Sequence, residues 1–586
     1  MINVEAAVSA KFPQFASAPD LVRKSAFNFL RHIVHEQEIN AFLLDNPDTR
    51  GFHWIDRVFE HLDFSYTVSS VERANIPDSG RVVIIANHPI GSLDGLALLR
   101  LVGEVRSDVK IVANDLLSNV RALDAFLIPV DNMTGGSALR SYRNVLAELE
   151  KERAVIVFPA GEVSRASPLG VSDPLWRPGF LHFARKARAP LLPVLVKARN
   201  SLLFYCASML YKPLSTMLLS DELFKQKSKV IGFRIGEMIP ARKLYSDEVQ
   251  DRTLVKRLRK HLYKLEKPQL GAFETERAIA HPENRQALQQ ELKQGQLLGL
   301  TRDNNAIILC DWLADSAVIR EIGRLRELAF RRVGEGTGKR RDLDDHDRYY
   351  RHLVVWDREA LEIAGAYRLG EGAALLQRFG EHGLYTSSLY RYHADFLPYV
   401  GQGLELGRSF VHPKYWGKAS LDYLWQGLGA FLATRPDIRY LFGPVSMSAD
   451  FPRELAEELV FFYSKYYPAR QPLVTTRNPF VTRATSSERM QAKYADIGLY
   501  AGFELLQSAF TEAGLKIPVL FRQYAALFDE GGFQTLAFSI DPDFTDCIDG
   551  LCLTDLALLK PAKRKRYMSP QTGSSNNTDH DYSLNP

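Results

Sequence analysis

Several side chains in this sequence are of types and at spacings that suit proton transfer. In VVIIANHPIGSLDGLALL, His88 follows an apolar run and Asp94 stands six positions later. A neutral imidazole takes a proton from an alcohol when a carboxylate fixes its tautomer and stabilises the imidazolium. His88 is therefore the candidate base and Asp94 its candidate partner. A second stretch, AVIVFPAGEVSR, sets Gly161, Glu162, Ser164 and Arg165 in a turn after another apolar run. In the other half of the chain, GLELGRSFVH carries Glu405, Arg408 and Ser409, and KRRDLDDHDRYYRHLVVW carries Asp344 and Asp347. The guanidinium of Arg408 suits an amino acid's carboxylate or a phosphate.

The elements that must position these residues alternate in type. The runs VVIIA (82–86), VKIVA (109–113), AVIVF (154–158) and LLPVLV (191–196) are separated by helical stretches. That rhythm gives a mostly parallel sheet with helices on its faces, so the fold class is α/β. His88 falls at the C-terminal end of a strand, before a helix that Ser92 would cap, in the usual ligand crevice of such sheets. Residues 1–60 read as a helical segment, 61–240 as the first α/β domain and 241–300 as a charged helical connector. Residues 301–560 form a second α/β domain with a helix, IREIGRLRELAFRRV, and strands HLVVW, EIAGAYRL, LELGRSFVH and RYLFGPVS. The tail, 561–586, is basic and then low in complexity, and is expected to be disordered.

The ordered blocks of the first half, His88 with Asp94, then FPAGEVSR, then APLLPV, resemble the glycerolipid acyltransferase family. The resemblance implies that His88 deprotonates an acceptor hydroxyl, that Asp94 orients it, and that Gly161, Glu162, Ser164 and Arg165 bind the acceptor. Two departures stand out. Five residues separate His88 from Asp94 where the family has four, so the turn must bulge at Gly91. Glu162 and Val163 replace a Thr and a phosphate-binding Arg, which points to an acceptor without phosphate. The second half resembles acyltransferases of the GNAT fold. Its Glu405-x-x-Arg408-x-x-Val411 is similar to the motif of acyl-homoserine-lactone synthases, and GLKIPVLFRQYAALFDEGGFQ to ornithine-lipid N-acyltransferases. By that resemblance Glu405 is catalytic, Arg408 and Ser409 bind substrate, and Asp344 and Asp347 meet a cationic acceptor. The segment YWGKA (415–419) only faintly echoes the pyrophosphate loop of coenzyme A enzymes, which favours acyl carrier protein as donor. Together the halves resemble bifunctional ornithine-lipid synthases. That implies N-acylation of ornithine by the C-terminal domain, then O-acylation of the lyso-lipid by the N-terminal one. Glycine, lysine and glutamine remain open as acceptors, as does a chain with one active domain.

Composition sets the outer bounds. The 586 residues exceed one hydrophobic core, and 46% hydrophobic with 24% charged residues is ordinary globular usage. A formal net charge of +5 argues against a nucleic-acid partner, and four cysteines without metal-site spacing argue against a disulfide scaffold or a bound metal. No cofactor is expected beyond the carrier-borne acyl group. No signal or spanning segment is evident. Residues 200–220, NSLLFYCASMLYKPLSTMLLS, read either as a buried helix or as a segment dipping into a membrane surface. A cytoplasmic enzyme peripheral to the inner face of the cell membrane is the expectation. GEGTGK (334–339) fails as a phosphate loop, because only three residues separate Gly334 from Gly338 and Arg340 replaces the Ser or Thr.

Overall fold

The computed structural model describes residues 5, 20–114, 120–130, 135–167, 170–210, 218–245, 249–266 and 272–568. They fall into two compact units, 1–278 and 279–586.

The first unit is built on a seven-stranded sheet. Its strands are β1 (Ser65–Thr67), β2 (Val82–Ala86), β3 (Val109–Asn114), β4 (Leu127–Val130), β5 (Ala154–Val157), β8 (Leu191–Lys197) and β9 (Val230–Ile235), in the order β1-β9-β8-β2-β5-β3-β4. A short antiparallel hairpin, β6 (Arg165–Ser167) with β7 (Gly170–Ser172), follows β5. Neighbours are parallel except β8 and β9. Every residue of β2 is buried, and side chains alternate between two cores. Val82, Ile84 and Ala86 pack with Trp54, Ile55 and Leu99 on one face. Val83 and Ile85 pack with Leu149, Phe180 and Leu254 on the other. A continuous apolar run is what a parallel strand covered on both faces requires.

The second unit holds an eight-stranded sheet. Its members are β10 (Gln296–Leu300), β11 (Ala306–Cys310), β12 (Arg351–Asp357), β13 (Glu362–Glu371), β15 (Gly403–Val411), β16 (Tyr440–Met447), β18 (Phe533–Asp541) and β19 (Cys547–Asp555), in the order β10-β11-β12-β13-β15-β16-β19-β18. A separate pair joins β14 (Tyr390–Tyr392) to β17 (Val474–Thr476). All pairings in the large sheet are antiparallel except β15 with β16, whose ladder stops after Glu405 and Phe442. Near that point Leu406, Leu441, Gly443, Pro444, Trp425 and Tyr524 line a small hollow.

Two expectations are corrected. Residues 241–300 are not a separate connector. The helix Asp251–Lys264 packs into the first unit's core, whereas helix Arg285–Leu292 and β10 belong to the second unit. The basic stretch after residue 560 is a helix, Pro561–Met568, with Arg566 and Tyr567 both bonded to Asp422; residues 569–586 lie outside the described part. Of the two readings open for residues 200–220, helix Leu202–Leu210 has a surface side, since Leu202 is 82% exposed while Phe204 and Tyr205 are covered.

The C-terminal helix packs on helix Ser420–Ala433 at Gly429, where a Cβ would lie 2.1 Å from the Tyr567 carbonyl oxygen. Gly429→Ala should therefore undock it at a cost of about 1–3 kcal/mol. Limited trypsinolysis then cuts faster at 563–566 in the variant than in the wild type.

Candidate functional site

β2 ends at Ala86, and Asn87 closes the strand end. Its amide donates to the Val196 carbonyl at 3.0 Å and accepts from the Val196 N–H at 2.7 Å. His88 follows, 20% exposed. Gly91, at φ +89°, turns the chain into helix Ser92–Gly103, a conformation that side chains other than glycine's rarely adopt. That bulge delivers the fully buried Asp94 to the ring, with Oδ1 2.7 Å from His88 Nδ1. Asp94 Oδ2 accepts the Ile90 N–H at 2.9 Å, so the carboxylate is fixed at both oxygens. With Nδ1 engaged, Nε2 is the nitrogen left for a hydroxyl. Phe158 stacks on the ring at 4.1 Å between centroids. Burial pushes the His88 pKa down, but the charge and hydrogen bond of Asp94, with the charge of Asp173, outweigh it and hold it above the ordinary value.

The second block meets the first. Ser164 N–H donates to the His88 carbonyl at 2.7 Å, and Ser164 Oγ donates to Asp173 at 2.5 Å. Glu162 and Arg165 lie 3.5 Å apart as an ion pair, and Gly161 turns at φ +69° with open space around it. Sequence reasoning missed Asp173. This buried acid also accepts the His88 N–H at 3.2 Å and the Trp176 Nε1–H at 3.0 Å, so it ties the histidine loop to the second block. No motif marks it.

In the second unit the structure reassigns roles. Glu405 is 1% exposed, and its carboxylate accepts from Tyr350 OH, the Tyr385 and Thr386 N–H groups, and Thr386 Oγ1. A carboxylate saturated by donors fixes the 385–386 turn and has no place for a substrate proton. This corrects the expectation that Glu405 is catalytic. Asp347 pairs with Arg326 at 2.7 Å and Asp344 with Arg368 at 2.7 Å, both capping the same short turn. Burial alone would raise both carboxyls, yet the surrounding arginines hold them well below the usual range. They are matched already and do not await a cationic acceptor, which corrects that expectation too. Arg408, at φ +50°, and Ser409 form a β-bulge opposite Tyr367, which re-aims both side chains. The Arg408 guanidinium lies between the Tyr385 and Phe544 rings, 4.7 and 4.5 Å from their centroids, and 3.2 Å from Asp342. Ser409 lies beside Tyr367, whose hydroxyl bonds that of hollow-lining Tyr524 at 3.0 Å. In the glycine-rich 334–338 loop the Thr337 and Gly338 N–H groups donate to the internal carboxylate of Glu327, so they are not free to cradle a phosphate.

Residues 11–272 match the acyltransferase family, and residues 325–426 the acetyltransferase (GNAT) domain. The chain is 35% identical over 264 residues to a glycine N(alpha)-acyltransferase of Bacteroides thetaiotaomicron, covering 77% of it and 42% of this chain. It is 32% identical over 248 residues to a lyso-glycine lipid O-acyltransferase of the same organism, covering 89% of that protein and 41% of this one. An L-ornithine N(alpha)-acyltransferase of Rhodobacter capsulatus is 32% identical over 165 residues, 60% of its length and 25% of this chain. The chain belongs to the aminolipid acyltransferases.

Two outcomes test this geometry. In the aminolipid acyltransferase Asp94→Asn, burial dominates and the His88 pKa falls below the ordinary value of about 6.5, read by NMR titration of the ring; an unshifted value contradicts the assignment. Glu405→Ala strands several buried donors and lowers stability by at least about 3 kcal/mol in urea unfolding.

Proposed function

We propose that this chain makes an acylated amino-acid lipid in two steps, with ornithine as the acceptor. The C-terminal unit joins a 3-hydroxyacyl group from acyl carrier protein to the α-amine. The N-terminal unit then esterifies the 3-hydroxyl of that lyso-lipid from a second acyl carrier protein. The observation that carries this reading is that one chain matches both an amino-acid N-acyltransferase and a lyso-lipid O-acyltransferase. In the ester step His88 Nε2 removes the hydroxyl proton as the oxygen attacks the thioester carbonyl. The imidazolium, held by Asp94, returns the proton to the departing thiolate. In the amide step the thioester arm enters near the point where the β15–β16 ladder ends. The higher identity to the glycine enzymes supports glycine as the second reading for the acceptor.

The site's surroundings suit a lipid product. Leu202, Leu203 and Met209 are exposed on helix Leu202–Leu210. Asn200, just before it, bonds the Pro89 carbonyl next to His88 at 3.1 Å. An apolar surface at the site's edge lets the enzyme sit on the inner face of the membrane and take an acyl chain from it. Among the described residues no helix is long and apolar enough to cross a membrane.

Expression in a host without aminolipids, followed by mass spectrometry of its lipids, tests the division of labour. The wild type yields diacylated lipid. His88→Ala slows the ester step by about 10²-fold or more and leaves mono-acylated lyso-lipid. Undiminished diacylated product in the variant refutes the role of His88.

A further inference from the structure

Around Arg408 the second unit buries more carboxyl groups than cations. Asp344 and Asp347 are paired with Arg368 and Arg326, and Asp342 with Arg408. Glu335, Asp541 and Asp549 also lie within reach of the Arg408 charge, and none has an ion-pair partner among the described residues. Glu335 accepts from Ser446 Oγ at 2.8 Å. Asp541 accepts from Tyr385 OH at 2.7 Å and from the Asp543 N–H at 3.0 Å. Asp549 is different. It is 3% exposed, and its one donor among the described residues is the Cys547 thiol at 3.9 Å, a weak one. Its cross-strand partners are Ser446 and Ser539, so it stands beside the serine that holds Glu335. Burial pushes the Asp549 carboxyl far up and that of Glu335 to about 7. Burying a carboxylate without donors is costly, and such a group signals a missing partner.

We propose that Asp549, with Asp541 and Glu335, forms the subsite that receives the side-chain ammonium of a dibasic amino-acid acceptor. The assignment rests on the reading of this unit as an amino-acid N-acyltransferase. An ammonium supplies three N–H donors and the positive charge the cluster lacks. Held there it stays protonated and has no lone pair, so the α-amine is the nucleophile. The α-nitrogen forms the new C–N bond, the thioester C–S bond breaks, and the amine's proton leaves on the thiol. Glycine, or a side chain ending in a methyl group, leaves Asp549 with only the weak Cys547 thiol as donor.

The test uses the purified full chain with a 3-hydroxyacyl carrier-protein thioester and three acceptors: ornithine, glycine, and norvaline, which is ornithine without its terminal amine. Ornithine should exceed both others in kcat/KM by at least about tenfold, with acylation on the α-nitrogen. Asp549→Asn should shrink the ornithine-to-norvaline ratio by at least about tenfold and release product acylated on the side-chain nitrogen. If that variant does not fold, Asp541→Asn is read in the same way. Equal rates for ornithine and norvaline, a preference for glycine, or an unchanged ratio in a folded variant overturns the subsite while leaving amino-acid acylation intact. Absence of acylation with all three acceptors overturns the function itself and the subsite with it.

Discussion

The hydrogen bond between Asp94 and His88 is the interaction on which the candidate site of the first unit depends. A buried carboxylate is tolerable only where donors surround it, and Asp94 has two: the imidazole and the Ile90 N–H. Because Nδ1 is occupied, the opposite nitrogen faces the place a hydroxyl would take. The contact exists because Gly91 adopts a left-handed conformation at the helix entrance and because β2 is clamped between two cores. A shift of the strand end would separate ring and acid. Asn87, bonded twice to Val196, and Asp173, bonded to the His88 backbone, oppose such a shift.

The second unit follows the same rule in a different arrangement. Its acids divide into those the fold has matched and those it has not. Glu405 is saturated by hydroxyl and amide donors, and Asp344 and Asp347 by arginines. These groups build walls. Their cost of burial is met within the fold, and the bulge at Arg408 adds a cation that π-faces cover on two sides. The carboxyls beyond that network, Glu335, Asp541 and Asp549, have no ion-pair partner among the described residues.

How much of this was legible depended on sequence distance. His88 and Asp94 could be read because their partnership spans one turn, and the extra residue itself pointed to a bulge at Gly91. β2, β3, β5 and β8 show as apolar runs of the right length, because burial on two faces leaves little room for polar residues. The setting of Glu405 is not legible locally, because its donors, Tyr350 and the 385–386 turn, come from segments 19 to 55 positions away. Asp173 sits in no motif and gains meaning only when the chain returns to His88. Asp549, Asp541 and Glu335 gather only once β16, β18, β19 and the glycine-rich loop are assembled. Charge in residues 241–300 suggested a connector, but periodic apolar positions such as Leu254, Leu258 and Leu262 tie part of it to the first core. In 561–568 the basic residues hid Tyr567, which anchors that helix.

The central claim is that one chain acylates first a nitrogen and then an oxygen of the same growing lipid. A time course with purified protein, labelled amino acid and carrier-protein thioesters, sampled by mass spectrometry, addresses it directly. The account predicts that mono-acylated product rises first and then declines as diacylated lipid accumulates, with no other protein present. Mono-acylated product that persists as the end point, despite an ample second thioester, would contradict it.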